Sequence, residues 1–331
     1  MKKLKVALLL GGISTEKEVS RNTAKSILSA LRKLNYDVIP IDPALGLKQP
    51  KNEDDLFIQQ SPENLSKRNY IEIINSSFFD DIDVAFLALH GQFGEDGIIQ
   101  SLLELRGIKY TGSGVLTNAL AMDKLMTKIV LEFHGVKTAE WVVAEKKYDL
   151  NEIQKQVNEK LNYPCVVKPN DQGSSVGLTF CQNENQLKDA IDLALKFSNK
   201  ALIEKYIQGR ELTVAILEDK PLPVVEIKPK SGFYDYKSKY TSGMSEYICP
   251  AEIPNEVSLK LQEQALIAFK AVGCKTYSRI DFRLNEKNES YCLEINTLPG
   301  MTNFSLVPKA ANAAGISFEQ LIEKILISSL E

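Results

Sequence analysis

Residues 279–296 read RIDFRLNEKNESYCLEIN, two short runs of alternating side chains on either side of a polar turn. Folding the segment between Lys287 and Asn288 sets Asp281 opposite Glu294, Arg279 opposite Asn296, Ile280 opposite Ile295 and Phe282 opposite Leu293. Side chains alternate across a strand, so this register gives one polar and one apolar face. It also places two carboxylates roughly 5 Å apart. At an effective dielectric of about 20 their repulsion is roughly 3 kcal/mol, which a cation or a shared proton would relieve. Three oxygen-bearing side chains (Asp281, Glu294, Asn296) with no His or Cys suit magnesium or manganese better than zinc. Magnesium in turn suggests phosphate chemistry, because it keeps positions open for substrate phosphates. The plainer alternative is a solvated face whose acids pair with Arg279 and Arg283.

The rest of the chain provides a setting for that hairpin. Its 331 residues are enough for two or three domains, with 44% apolar and 25% charged residues. The net charge of −3 advertises no nucleic-acid partner. Five cysteines without a C-x-x-C spacing and only two histidines argue against a zinc cage or a disulfide framework, and fit a reducing compartment. The opening MKKLKVALLLGG has an apolar run too short for a secretion signal, and nothing approaches a membrane span, so a cytoplasmic location is expected. Residues 4–10 read as a buried strand, and GGISTEKEVS turns into a helix in which Thr15 and Glu18 fit a capping box. DVIPI and DVAFLALHG continue as strands, which predicts a parallel α/β sheet with ligand-facing loops at its carboxyl edge. Segment 47–70 is polar and reads as a surface excursion. From about residue 120 a helix ending at Gly135, the strand-like YPCVVKP, ALIEKYI and ELTVAIL, and a helix over 256–272 predict a mixed α+β remainder. Three units are expected, 1–115, 116–208 and 209–331.

Further stretches carry possible chemistry. KPNDQGSSVGLT, residues 168–179, sets Gly173, Ser174, Ser175 and Gly177 between two strands; backbone N–H groups there would cradle phosphate, or the loop is a plain hairpin turn. Lys168 ends a buried strand, where either a nucleotide phosphate or an ordinary carboxylate would stabilise its ammonium. Glu204 and Glu211 flank an apolar segment and would accept from a purine amino group and ribose hydroxyls, unless they are surface acids. Ser305 looks like a helix N-cap, with Pro308 in the first turn and Gly315 as terminator. FYDYKSKYTSG, 233–243, is polar and aromatic, reads poorly as core, and is taken as a surface loop.

Oxygen ligands on a hairpin, a lysine followed by a Gly/Ser loop, and LEINTLPGMT together resemble the ATP-grasp superfamily. Within it, LLGGISTEKEVS, LHGQFGEDG, TGSGV, MDK, KPNDQGSSVG, FYDYKSKY, RID, LEINTLPGMT and SLVPKAA resemble the D-alanine–D-alanine ligase family, in family order over nearly the whole chain. The resemblance implies an ATP-grasp fold behind an N-terminal parallel α/β domain, and ATP-dependent ligation of two D-alanines through an acyl phosphate for peptidoglycan synthesis. By motif, Asp281, Glu294 and Asn296 would hold two magnesium ions, with manganese as a substitute and Glu294 bridging. Lys124 of MDK and Lys168 would bind the phosphates of ATP, with Ser174 and Ser175 in the loop above them. Glu204 would meet the adenine and Glu211 the ribose, with Lys205 and Ile207 also binding ATP.

Glu16 would receive the ammonium of the first D-alanine; otherwise it merely offsets the helix dipole. His90 would line the amino-acid pocket, unless it is a structural loop histidine. Arg279 and the Gly300 N–H would stabilise the tetrahedral oxyanion, while Ser305 and the Leu306 N–H would hold the second substrate. Lys239 would contact the transferred phosphate. Tyr240 would hydrogen-bond toward Glu16 and Ser174, closing a lid that excludes water, and favours the dipeptide over a D-alanine–D-lactate ester. A homodimer is the family expectation, with neither nucleic acid nor membrane as partner. The competing readings are another ATP-grasp carboxylate–amine ligase, including a depsipeptide ligase, and a nucleotide-binding regulator on the same scaffold.

Overall fold

The computed structural model describes residues 3–229 and 245–330, which fold around three sheets. The first is four-stranded, in the order β2 (Asp37–Ile41), β1 (Lys5–Leu9), β3 (Val84–Leu87), β4 (Lys109–Tyr110), with every pairing parallel. Apart from Lys5 its central strands are apolar, because helices cover the sheet. These are α1 (Lys17–Lys33), α2 (Lys67–Ile74) and α3 (Ile98–Arg106). Strand order reverses between β1 and β3, so the loops leaving those two strands open a crevice at the carboxyl edge. Glu16 and His90 sit in them.

Two corrections to the sequence reading concern this region. The capping box expected from Thr15 and Glu18 does not form: α1 has Glu16 at its N-cap with no side-chain cap bond. Instead Ser14 Oγ accepts the Glu16 N–H at 3.1 Å, and Glu18 turns to Arg21. The polar excursion over 47–70 is also less bare than expected, since it buries Leu56 and ends in the first turn of α2.

Next come α4 (Val115–Met122) and α5 (Lys124–Phe133), divided at Asp123, whose carboxylate caps α5 by accepting the Met126 N–H at 2.9 Å. The second sheet is antiparallel, ordered β5 (Trp141–Glu145), β8 (Lys200–Lys205), β6 (Cys165–Pro169), β7 (Thr179–Cys181). One face packs on α6 (Leu150–Lys160) and α7 (Leu187–Ala194) through Cys165, Val167, Ala201 and Ile203. Period-two alternation turns Val166, Lys168 and Glu204 to the other face.

The third sheet runs β12 (Ser245–Ile248), β11 (Val225–Pro229), β9 (Arg210–Leu217), β13 (Tyr277–Leu284), β14 (Ser290–Asn296), with β10 (Lys220–Pro221) against β9. Leu212, Val214 and Ile216 pack beneath α8 (Asn255–Ala271). Ala215 and Leu217, on the opposite face, join α9 (Leu306–Ala313), α10 (Phe318–Ser328) and the first sheet in one continuous core. Among the described residues no helix is long and apolar enough to cross a membrane.

The hairpin of β13 and β14 has the expected pairs Arg279 with Asn296, Ile280 with Ile295 and Asp281 with Glu294. The next expected pair, Phe282 with Leu293, is wrong. The register shifts there and Phe282 faces Cys292, leaving Leu293 as an extra residue in a β-bulge. The cause lies outside the hairpin: the Cys292 N–H donates to Lys137 O at 2.8 Å, so this stretch of β14 is held from its other edge. Cys292 therefore enters the core, while Leu293 and Glu294 both turn to the open face.

Candidate active site

A cleft of about 870 Å³ opens between the start of α1, the Gly/Ser loop, the hairpin and the start of α9. Glu16, Ser174, Arg279, Asn296, Gly300, Ser305 and Leu306 all line it. A second pocket adjoins it and carries Lys168, Ser175, Glu204, Lys205, Ile207, Glu211 and Asp281. Lys124 and Glu294 line both, so these two side chains form the boundary between the chambers. Of the expected site residues within the described part of the chain, only His90 lines neither chamber. His90 is buried one side chain behind the cleft, its Nε2 3.0 Å from Thr23 Oγ1, and it is Thr23 and Glu95 that reach the wall. Lys239 and Tyr240 lie outside the described residues.

Around Glu16 the two N-terminal sheets come together. Ser174 Oγ donates to Glu16 Oε1 across 158 residues of chain. The approach needs Gly173, because a Cβ there would stand 2.7 Å from Glu16 Oε2. Ser174 and Ser175 hold φ values of +49° and +59°, which L-residues rarely adopt, and Gly177 follows at +67°. Within it the Val176 and Leu178 N–H groups donate to Gly173 O and Ser175 O, so the loop is a tight hairpin turn, and Ser174 and Ser175 line the two chambers.

Lys168 finds the ordinary carboxylate of the sequence alternatives: its Nζ is 2.6 Å from Glu204 Oε2. Glu204 is itself buried and takes a second ammonium, Lys128, on Oε1 at 2.7 Å. Burial alone would push this carboxyl up, but the two lysines outweigh it and bring it down to about 2. Lys205 differs, with its ammonium tied to Glu140 on the surface at 2.9 Å. Lys124 starts α5 and donates to Gln172 O at 2.6 Å, with Glu294 Oε2 4.0 Å away.

On the hairpin Asp281 accepts from Thr213 Oγ1 at 2.6 Å and pairs with both Nε and Nη2 of Arg279, at 2.9 and 2.8 Å. The alternative reading, in which these acids meet arginines, thus holds for Asp281 with Arg279. It fails for Arg283, which turns to Gly209 O. Asn296 Oδ1 accepts the Leu298 N–H at 3.1 Å. Among the described residues no three His, Cys, Asp or Glu side chains form a metal cage on their own. The third donor would be the Asn296 amide, and the set is then all oxygen on one sheet face, with Glu294 directly opposite Asp281. That fits a hard divalent cation sharing its coordination with a ligand's phosphates.

Ser305 is the N-cap of α9 by position but makes no cap bond; its Oγ accepts the Thr302 N–H at 3.0 Å. The cap side chain thus does not compete for the N–H groups of the first turn, whose Leu306 lines the cleft. Three participants were not singled out by sequence: Thr213, Thr23 and Lys128. Thr213 is signalled only by a lone hydroxyl in the apolar run ELTVAIL, and Lys128 by its spacing of one helical turn from Lys124.

Comparison with known proteins agrees with this geometry. Residues 5–113 match the family model for the D-ala D-ala ligase N-terminus and residues 130–327 that for the C-terminus. The D-alanine–D-alanine ligase of Syntrophotalea carbinolica is 42% identical over 322 residues, covering 97% of this chain and 95% of that protein. The solved D-alanine–D-alanine ligase of Bacillus anthracis complexed with ATP superposes with a TM-score of 0.79 at 32% identity, over 99% of this chain and 97% of that one. VanG, the D-Ala:D-Ser ligase of Enterococcus faecalis, gives 0.82 at 29% identity, over 99% and 100% of the two chains. Matched through both halves and over nearly its full length, the chain belongs to the D-alanine–D-alanine ligase family.

Proposed function

We propose that this protein joins two D-alanine molecules to D-alanyl-D-alanine, converting ATP to ADP and phosphate through an acyl phosphate, for peptidoglycan synthesis. One observation carries the reading. Two chambers share a wall of Lys124 and Glu294; one holds ammonium and carboxylate partners, the other a lysine and acids suited to a nucleotide. A carboxylate is a poor electrophile, and phosphorylation supplies it with a leaving group. The Glu16 carboxylate binds the first substrate's ammonium and leaves its carboxylate facing the shared wall. Lys124 and Lys168 offset phosphate charge, while Glu204 meets the base and Glu211 the ribose, with Lys205 and Ile207 also binding ATP. Ser305 and the Leu306 N–H hold the second substrate's carboxylate so that its amine reaches the activated carbonyl. Arg279 and the Gly300 N–H receive the charge that develops on the carbonyl oxygen. Lys239 on the transferred phosphate and Tyr240 in a closing lid complete the proposal. Asp281, Glu294 and Asn296 would hold two magnesium ions, or manganese, whose charge eases phosphoryl transfer.

The same proposal includes three units (1–115, 116–208 and 209–331), a homodimer and a cytoplasmic setting. Its test is a coupled assay with ATP, magnesium and D-alanine, L-alanine or D-alanine plus D-lactate. We expect one phosphate per dipeptide with D-alanine and none with L-alanine. ATP binding without phosphate release would instead favour a regulator, and ester formation with D-lactate a depsipeptide ligase.

A further inference from the structure

Lys128 is the most buried lysine of the site, 2% exposed, yet it has no part in the steps above. It lies one turn beyond Lys124 on α5 and lines neither chamber. Its ammonium stands 2.7 Å from Glu204 Oε1 and 5.1 Å from the centre of the Trp141 ring. Placing a second cation so deep is costly, and burial lowers the pKa of Lys128 despite its carboxylate partner. One carboxylate needs only one ammonium, and Glu204 already has Lys168 on Oε2. The two lysines differ in their access: Lys168 and Glu204 face the pocket, whereas Lys128 grips the carboxylate from behind.

We propose that Lys128 is a positioning residue for the nucleotide base, aiming the Glu204 carboxylate into the pocket so that it selects a 6-aminopurine over a 6-oxopurine. This rests on the nucleotide reading of that pocket. An ionised carboxylate only accepts hydrogen bonds. It therefore welcomes the exocyclic N–H of adenine and opposes the O6 of guanine, which also only accepts. A site built around such a bond discriminates strongly, because the wrong partner leaves a buried polar group unpaired. The groups that set the charge of Glu204 are Lys128 from α5 and Lys168 from β6. The Cys292 thiol from β14 stands beside Lys128 and is pushed well above its usual range by burial.

The test uses full-length protein and calorimetric binding of adenosine and guanosine, which read the base without phosphates or metal. Wild type is expected to prefer adenosine, with an affinity flat from about pH 8 to about pH 5. Lys128→Met should weaken adenosine by about tenfold or more, narrow its lead over guanosine, and add a further loss as pH falls. Lys128→Arg, which keeps the charge, should recover most of the preference. In steady-state turnover the Met variant should raise KM for ATP while leaving KM for D-alanine within about twofold. Unchanged adenosine affinity in Lys128→Met would overturn the proposal. So would an equal, pH-independent loss for both nucleosides that arginine does not restore, since a purely structural lysine would give that result. If Lys128→Met does not fold, wild type still decides: no adenosine preference, or one that fades toward about pH 5, defeats the idea. Normal nucleoside binding together with no phosphate release from ATP and magnesium on adding D-alanine would refute the ligase reading and spare the role of Lys128.

Discussion

A methyl group at position 173 would press on the Glu16 carboxylate, so Gly173→Ala tests the first substrate site at its tightest contact. We expect KM for D-alanine to rise by about tenfold, with KM for ATP nearly unchanged and the fold retained. Equal KM values for D-alanine in both proteins would remove Glu16 from that role. Glu294 stands on the shared wall, only partly buried, and Glu294→Gln removes charge without volume. Turnover at saturating magnesium should fall by about a hundredfold or more while the melting temperature holds; near-normal rates would defeat the metal assignment. Tyr240→Phe is expected to move second-substrate preference from D-alanine toward D-lactate, measured as a ratio of kcat/KM values. At this scale motifs named Glu16, Ser174, Arg279 and Ser305, which the fold gathers at one cleft, but also His90, which lies behind its wall. The sequence was silent on partners brought by folding, such as Thr213 on Asp281 and Lys128 on Glu204.

Among the elements, those with strong periodicity were legible and those set by tertiary contacts were not. β13 reads directly from its alternation, yet its partner's bulge depends on a hydrogen bond to Lys137 that no local pattern announces. Ser305 was identified as a cap from its type and position, but its hydroxyl serves Thr302, leaving the helix start open. The run AMDKLMTKIVLEFHG looks like one helix with a natural end at Gly135; in fact Asp123 ends one helix and begins another. That break presents Lys124 at a helix start facing both chambers. Asp123→Ala should therefore cost about 1 kcal/mol of stability in urea unfolding, together with a raised KM for ATP. Loss of stability alone would show that the cap does not position Lys124.

Across the whole molecule, two buried acids respond to pH in opposite senses. Burial pushes the carboxyl of Asp42, beneath the loop after β1, up to about 6. Its folded pKa exceeds the unfolded value, so it favours the fold at low pH and loses that contribution as pH rises through about 6. Glu204 runs the other way: at about 2, its contribution is present above its ordinary 4.5 and disappears as pH falls. Stability should rise as pH drops from about 6 toward about 4 and then decline. Urea unfolding across that range checks this, with Asp42→Asn flattening the upper limb; a wild-type profile that only falls below pH 6 would contradict it. The convergence of three sheets on one cleft is the part least visible in sequence, because Glu16 and Ser174 belong to loops of different sheets and meet across 158 residues of chain.

The surplus residue in β14 has a further consequence. Removing Leu293 would restore an unbroken ladder with Cys292 still in the core and Glu294 still outward, because the bulge already realigns the strands on either side of it. A protein shortened by that one residue should melt no earlier than the parent yet hold nucleotide poorly, having lost an apolar wall of the chamber. Chain length at this point would then be constrained by ligand grip and not by folding, and a deletion scan through 290–293 scored separately for melting and nucleotide affinity would show the two readouts part company.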